Sequence, residues 1–235
     1  MSYYGYGFDW TYLLVLAGAI LSIWASARVN STFQKYAKVR SMSGMSGAQV
    51  ARVILDRNGL SHIPVEHVSG NLSDHYDPTR KVLRLSDSTY QSDSVAAIGV
   101  AAHECGHAIQ HKEGYGPLKF RNTIVPAANL GSRMGIPIIL LGLFFGAGGS
   151  FLVNLGIWVF SIAVLFQIIT LPVEFNASAR ALQVLENYGI LGMEENRKAK
   201  KVLSAAAMTY VAAAASSILQ LLRLIILFGG KRSRD

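Results

Sequence analysis

The sequence predicts a mostly α-helical membrane protein that carries one small α+β domain. Three observations lead there. Only 15% of the 235 residues are charged and 51% are hydrophobic, whereas an ordinary soluble domain is about 25% charged. The charges are missing from long stretches and crowded between them. One stretch of normal polarity, from about Arg28 to Asn122, has helix caps and strand patterns of its own. This composition excludes a disordered chain and disfavours two full soluble domains, which would need a normal polar surface. Nothing recurs at a repeat-protein period.

Trp10 to Ala27 is a run of 18 uncharged residues between Asp9 and Arg28, just long enough to cross a hydrocarbon core of about 30 Å as a helix. It has neither the basic leader nor the small-residue cleavage site of a signal peptide, so residues 1–27 read as an uncleaved membrane helix. Met134 to Val173 is a run of 40 uncharged residues broken by Gly146-Ala147-Gly148-Gly149-Ser150. It reads as a hairpin of two spans over 123–172, with Phe151–Leu171 as the second arm and Arg133 in or near the membrane. Residues 173–201 read as a helical segment back at the surface. The Ala-rich run Val202–Leu222 begins a segment, 202–230, that is either a fourth span or a packed helix, the span being favoured. Residues 231–235 are a basic tail.

Loop charges set the orientation. No Lys or Arg precedes the first span, while Arg28, Lys35, Lys38 and Arg40 follow it at once. This places 28–122 on the cytoplasmic side, and the hairpin returns Glu174–Lys201 there too. Four spans leave Lys231, Arg232 and Arg234 outside, which fits the rule poorly. The net charge of +8 could serve nucleic acid, anionic lipid or membrane orientation. Its placement favours orientation, and no basic and aromatic pattern resembles a nucleic-acid module. Tyr3, Tyr4 and Tyr6 suit a membrane interface.

Within the insert, Ser46 is a plausible N-cap for a helix with Val50, Val53 and Ile54 on one face, ended by Asn58-Gly59. Ile63–Val68 and Lys81–Ser86 read as short strands separated by an Asp74–Pro78 turn cluster. His62 and His67 lack partner spacing and read as surface or strand residues.

The helix Ser94–Gln110, closing near Gly114, contains His103-Glu104-Cys105-Gly106-His107. At 100° per residue, Ile98, Ala102, Cys105 and Ile109 form an apolar stripe and the two histidines face the other way. Two imidazoles four residues apart can converge on one Zn²⁺ at about 2.0–2.1 Å. Glu104 then stands beside the metal, placed to act on water rather than to bind the ion. Cys105, the single cysteine, can form no internal disulfide and belongs to the stripe as a buried thiol rather than a redox switch. A catalytic site needs a third protein ligand. His111 is eight residues, about 12 Å along the axis, from His103 and reads as a surface or mouth residue. Glu174, which ends the long uncharged stretch and opens a probable helix, is the better candidate.

His103-Glu104-x-x-His107-Ala108-x-Gln110, the preceding Asp77-Pro78 turn and strand, and Glu174-Phe175-Asn176-Ala177-Ser178 together resemble the YugP-like neutral zinc metallopeptidases of membranes, over nearly the whole chain. The resemblance implies a zincin-like catalytic domain of the gluzincin type: one Zn²⁺ per chain, His103, His107 and Glu174 as ligands, and Glu104 as base. The related HtpX-like group often carries Asp four residues after the ligand glutamate. This chain has Ser178 there, with Asn176 two residues earlier, and these two are the candidates to hold a ligand histidine in place.

The expected activity is zinc-dependent endopeptidase cleavage of a peptide or protein substrate, membrane proteins included, at or near the membrane surface. The expected setting is a multi-pass cell-membrane protein in contact with the lipid bilayer, open to a regulatory membrane partner. The strand Lys81–Ser86 could align an extended peptide if it lies at a sheet edge, and an ordinary core strand is the equal alternative. For the oxyanion donor the sequence offers His75, Tyr115, Arg180 and Tyr188 without choosing. A non-catalytic membrane scaffold with a structural zinc site is the rival reading, weakened because such a site has no use for Glu104. A metal transporter would carry its ligands inside the spans.

Overall fold

Hydropathy and capping account for ten elements in the computed structural model, which describes residues 9–229. The tyrosines at 3, 4 and 6 and the tail cations Lys231, Arg232 and Arg234 lie outside the described residues. In chain order the elements are α1 (Tyr12–Ala37), α2 (Gly47–Arg57), β1 (Val65–Val68), β2 (His75–Asp77), β3 (Val82–Ser86), α3 (Val95–Lys112), α4 (Gly116–Phe144), a 3₁₀ turn (Gly146–Gly149), α5 (Ser150–Asn187) and α6 (Met193–Phe228). Two compact units result: one comprises Ala25–Asn122 and Ile169–Tyr210, the other takes the remaining segments.

In the first unit, Ser46 and Gln49 form a reciprocal capping box that starts α2, worth about 1 kcal/mol. Gly59, at φ +65°, turns the chain out of the helix. The α2 face of Val50, Ile54 and Leu55 is fully buried against α3 residues Ile98, Ala102 and Cys105 and β3 residues Leu83 and Leu85. Each such aliphatic side chain contributes about 1.5–3 kcal/mol by burial. The same core takes in Ala181 and Leu185 of α5 and Leu203 of α6.

The sheet has the order β1-β3-β2, with β3 parallel to β1 and antiparallel to β2. This corrects one expectation and decides another. His75–Asp77, inside the expected turn cluster, is a strand in register with Val82–Arg84, and of the two placements open to β3, edge or core strand, the structure has the central one. The cause lies in side-chain to backbone bonds that a composition-based turn signal cannot weigh. Asp77 Oδ1 accepts from Thr79 N at 2.9 Å and Arg80 N at 3.0 Å, closing the connection to β3. Asp74 accepts from both the backbone N–H and the hydroxyl of Ser86 at 2.8 Å. With neighbours on both sides, β3 buries four of its five residues, as a central strand does.

In the second unit the α4–α5 pair is joined through the 3₁₀ turn. A Cβ on Gly131 would lie 2.5 Å from Val159 O, and one on Gly135 2.8 Å from Phe160 Cβ. Glycines at this four-residue spacing let the two backbones approach as membrane helices do. The α1–α6 contact is polar: Ser216 Oγ donates to Gly18 O at 2.8 Å and meets Ser22 Oγ at 2.9 Å. Arg223, the charge inside the last apolar run, is paired with Asp9 Oδ2 at 3.5 Å and lies 4.2 Å from the Tyr12 ring centroid.

Four helices, α1, α4, α5 and α6, are long and apolar enough to cross a membrane. Their large apolar side chains are turned outward, with Ile23 and Trp158 at 70% and 74% exposure, a surface suited to lipid and costly in water. The expected boundaries at 172/173 and 201/202 fall inside α5 and α6, which continue through them. A change from apolar to charged side chains marks a change of surroundings, but it gives the backbone no reason to stop being helical.

Candidate metal centre

Ser94 caps α3 through its hydroxyl, which accepts from Ala97 N at 3.2 Å. The apolar stripe faces α2, and Cys105 Sγ lies 3.7 Å from Ala51 O, its thiol pushed up by burial. The opposite face presents His103, Glu104 and His107. Against it lies α5, admitted closely because residue 106 is glycine: a Cβ there would sit 2.6 Å from Ala177 O.

That approach brings Glu174 to the histidines. Its Oε2 is 3.3 Å from His103 Nε2 and 3.5 Å from His107 Nε2, and the three donor atoms lie within 4.8 Å of one another. Glu174 is 3% exposed, yet its Oε2 accepts no hydrogen bond. Ligands about 2.0–2.2 Å from a tetrahedral zinc are themselves roughly 3.3 Å apart. Two imidazole nitrogens and an orphaned, buried carboxylate oxygen at such spacings therefore fit a zinc ion.

The far nitrogen of each imidazole is held. His107 Nδ1 lies 3.0 Å from Gln110 Oε1, and the Gln110 amide nitrogen donates to Val173 O at 2.8 Å and to Asn176 Oδ1 at 2.9 Å. Those two acceptors fix the amide's orientation, so its oxygen faces the ring and the proton of a neutral His107 belongs on Nδ1. The Nε2 lone pair is then directed at the site. His103 Nδ1 is 3.1 Å from the Ser178 hydroxyl, which can accept in the same way. On the carboxylate side, Arg121 Nη1 is 3.5 Å from Glu174 Oε1.

Glu104 is 8% exposed and stands outside the trio of His103, His107 and Glu174. Its Oε2 accepts from Tyr76 N at 3.0 Å, so β2 rather than β3 is the strand beside it. Two clefts open on Glu104 and Glu174. One, of about 230 Å³, has His103 and Ser178 on its polar side and Phe33, Val202 and Ala206 on its apolar side. The other is lined by His75, Tyr76, His107 and Arg121, and Tyr210 lines both.

The remaining residues singled out from the sequence lie elsewhere. Asn176 acts one step back, accepting from Gln110 and from Arg180 Nε at 2.8 Å. Arg180 is bound to Glu113 at 2.7 Å and lies over Tyr115. Tyr188 accepts from Asn58 and lies beneath Arg57. None of Arg180, Tyr115 and Tyr188 lines either cleft. His111 Nδ1 meets the Tyr76 hydroxyl at 2.8 Å instead of joining the trio. His62 is exposed, and His67 pairs with Asp87 at 2.6 Å.

Sequence reasoning assigned no role to Gln110, Arg121, Tyr76 or Tyr210. Gln110 could have been found as the polar residue one turn after His107, and Tyr210 as the one phenol in the uncharged run Val202–Leu222. Arg121 and the Tyr76 backbone carry no local signal.

Residues 11–229 match the model of the family described as "Putative neutral zinc metallopeptidase". The chain is similar to a Bacillus subtilis (strain 168) protein named "Putative membrane protease YugP", 51% identical over 222 residues, which is 94% of this chain and 98% of that protein. No solved structure matches it.

Proposed function

Because the chain belongs to this neutral zinc metallopeptidase family, we propose that it is a membrane-embedded zinc endopeptidase that hydrolyses peptide bonds at or near the membrane surface. His103, His107 and Glu174 hold one zinc ion per chain, and Glu104 is the general base and then acid. The observation that carries this reading is the convergence of His103 Nε2 and His107 Nε2 on the unsatisfied Oε2 of Glu174.

Bound zinc supplies Lewis acidity that makes water a competent nucleophile near neutral pH and polarises a carbonyl. The rest is done by side chains. Tyr76 N–H holds Glu104 Oε2, leaving Oε1 to take the proton of the attacking water and deliver it to the departing amine. Gln110 and Ser178 keep the two imidazoles in the tautomer and orientation that present Nε2. Arg121 holds the other oxygen of Glu174. Negative charge developing on the substrate carbonyl oxygen requires a donor, and the cleft offers Tyr210 and His75. The apolar wall of Phe33, Val202 and Ala206 suits a hydrophobic substrate side chain.

In this reading the protein is a multi-pass protein of the cell membrane with its catalytic unit on the cytoplasmic side, as the cations after the first span favour. The substrate is a peptide or protein, membrane proteins included, and a regulatory membrane partner is compatible with it. A non-catalytic scaffold is disfavoured: structural zinc sites close with four protein ligands, and the trio here has Glu104 beside it. The test is purified full-length protein with an unfolded protein substrate. Zinc at one per chain and cleavage abolished in Glu104→Gln, with zinc retained, are expected. Cleavage that survives this substitution overturns the mechanism.

A further inference from the structure

The cations that read as orientation signals need only lie on one side of the membrane; nothing in that role requires them to meet. In the fold they do meet. Arg28 and Lys35 of α1 and Arg197, Lys198, Lys200 and Lys201 of α6 line one open groove of about 1110 Å³. The two sets are more than 160 residues apart in the chain. Apart from Arg28, five basic side chains share the groove lining with the single carboxylate of Glu194, which is itself bound to Arg197 at 2.6 Å. Like charges gathered in this way repel one another unless an anion is present to offset them.

The rest of the lining says which anion. Thr32, Tyr36 and Ser204 contribute hydroxyls, and Val39, Ala205 and Met208 apolar side chains. Along α6 the lining runs from Arg197 through the lysines to Ala205 and Met208, in the direction in which the chain enters its uncharged run at Val202. Along α1 it runs from Lys35 back to Arg28, the residue that ends the uncharged stretch Trp10–Ala27. The lining thus grades from cation to apolar along α6, while α1 continues beyond Arg28 as an uncharged run, and both helices are apolar enough to span.

We propose that this groove binds the phosphate headgroup of an anionic phospholipid, with the cations and hydroxyls on the phosphodiester and the apolar end toward the acyl chains. A free phosphate ion would use the cations but leave the apolar lining idle, and an acidic peptide would have no use for the uncharged runs into which both helices continue. Basic pockets at the ends of membrane helices recognise such headgroups electrostatically, each cation near the surface adding about fivefold in affinity. The proposal rests on the membrane placement of α1 and α6 and is independent of peptidase activity.

The experiment uses full-length protein in neutral detergent micelles, titrated with dihexanoyl-phosphatidylglycerol, the matching phosphatidylcholine, inorganic phosphate and hexaglutamate, and read by native mass spectrometry. Phosphatidylglycerol is expected to bind at least tenfold more tightly than phosphatidylcholine or phosphate. The double substitution Lys35→Gln with Lys200→Gln should weaken it roughly tenfold or more. Arg57→Gln with Arg80→Gln, an equal loss of charge outside the groove, should leave it within twofold, and Lys35→Arg with Lys200→Arg should retain it. Unchanged circular dichroism and zinc content show that each variant is folded. Equal binding of the two lipids, equal weakening by both double Gln variants, or phosphate binding as tightly as phosphatidylglycerol overturns the proposal. So does hexaglutamate binding that phosphatidylglycerol cannot displace.

Discussion

Gln110 Oε1 lies 3.0 Å from His107 Nδ1, one helical turn back along α3, and the same amide donates to Val173 O on α5. One fully buried side chain thus orients the His107 imidazole and ties its helix to the helix that carries Glu174. Gln110→Leu removes both functions at similar volume, and zinc affinity should fall 10- to 100-fold, as it does when such partners of ligand histidines are lost. Gln110→Glu keeps an acceptor for Nδ1 but sets its second oxygen against Val173 O and Asn176 Oδ1, so it should recover only part of the loss. Competition with a chromophoric chelator measures both; equal affinities for Gln110→Leu and wild type would refute the positioning role.

Glu104 and Glu174 are both buried carboxylates of the site, and their amides should separate base from ligand. Glu104→Gln is expected to keep zinc and lose 10²- to 10⁴-fold in kcat. Glu174→Gln is expected to lose zinc itself, since two histidines alone remain. Metal content beside single-turnover cleavage reads both, and full zinc occupancy in Glu174→Gln would remove that residue from the ligand set.

Gly106→Ala places a methyl 2.6 Å from Ala177 O, a backbone atom that cannot swing aside. The helices α3 and α5 must separate, at about 1–3 kcal/mol, and the separation acts on the distance between Glu174 and the histidines. A lower Tm together with weaker zinc binding is expected, whereas Gly116→Ala, which meets nothing, should change neither.

Cys105 is fully buried on the stripe opposite the histidines, its thiol pushed up by desolvation and by Glu104. Iodoacetamide at neutral pH should label it only in denaturant and should leave the native activity intact. Rapid labelling of the folded protein would mean that the α2–α3 contact opens.

Asp77 closes the β2–β3 connection, and the backbone N–H of Arg80 holds its carboxyl below the usual carboxylate range despite some desolvation. A depressed folded-state value adds stability that is complete above the unfolded value, about 3.9, and is lost as pH falls through the folded one. Asp77→Asn keeps an acceptor and removes the titration. The Tm advantage of wild type over Asp77→Asn should therefore shrink between pH 5 and pH 3, and a constant difference would exclude this contribution.

Features fixed by neighbours along the chain were legible in the sequence. The Ser46 cap, the Gly59 exit, the long apolar helices and the shared face of His103 and His107 all follow from spacings of a few residues, because an α-helix repeats every 3.6. So was the class of chemistry, since His-Glu-x-x-His on a helix leaves few uses for that set of groups. Glu174 could be nominated because it breaks a run of 40 uncharged residues. The strand at His75–Asp77 could not, because it depends on acceptor bonds from Asp74 and Asp77 to partners that only the folded chain supplies.

What the tertiary structure alone decided is convergence. Glu174 follows His107 by 67 residues, and no local rule sets the distance between them. It is set by the missing side chain of Gly106, which admits α5, and by Gln110, which locks it. Tyr210 and Arg121 reach one cleft together from helices whose periodicity carries no information about what they face. Likewise the sequence displays two groups of cations, but only the packing of α1 beside α6 makes them one groove. Periodicity records how each helix presents its faces to solvent and core; which faces meet is settled by the summed packing of the whole chain.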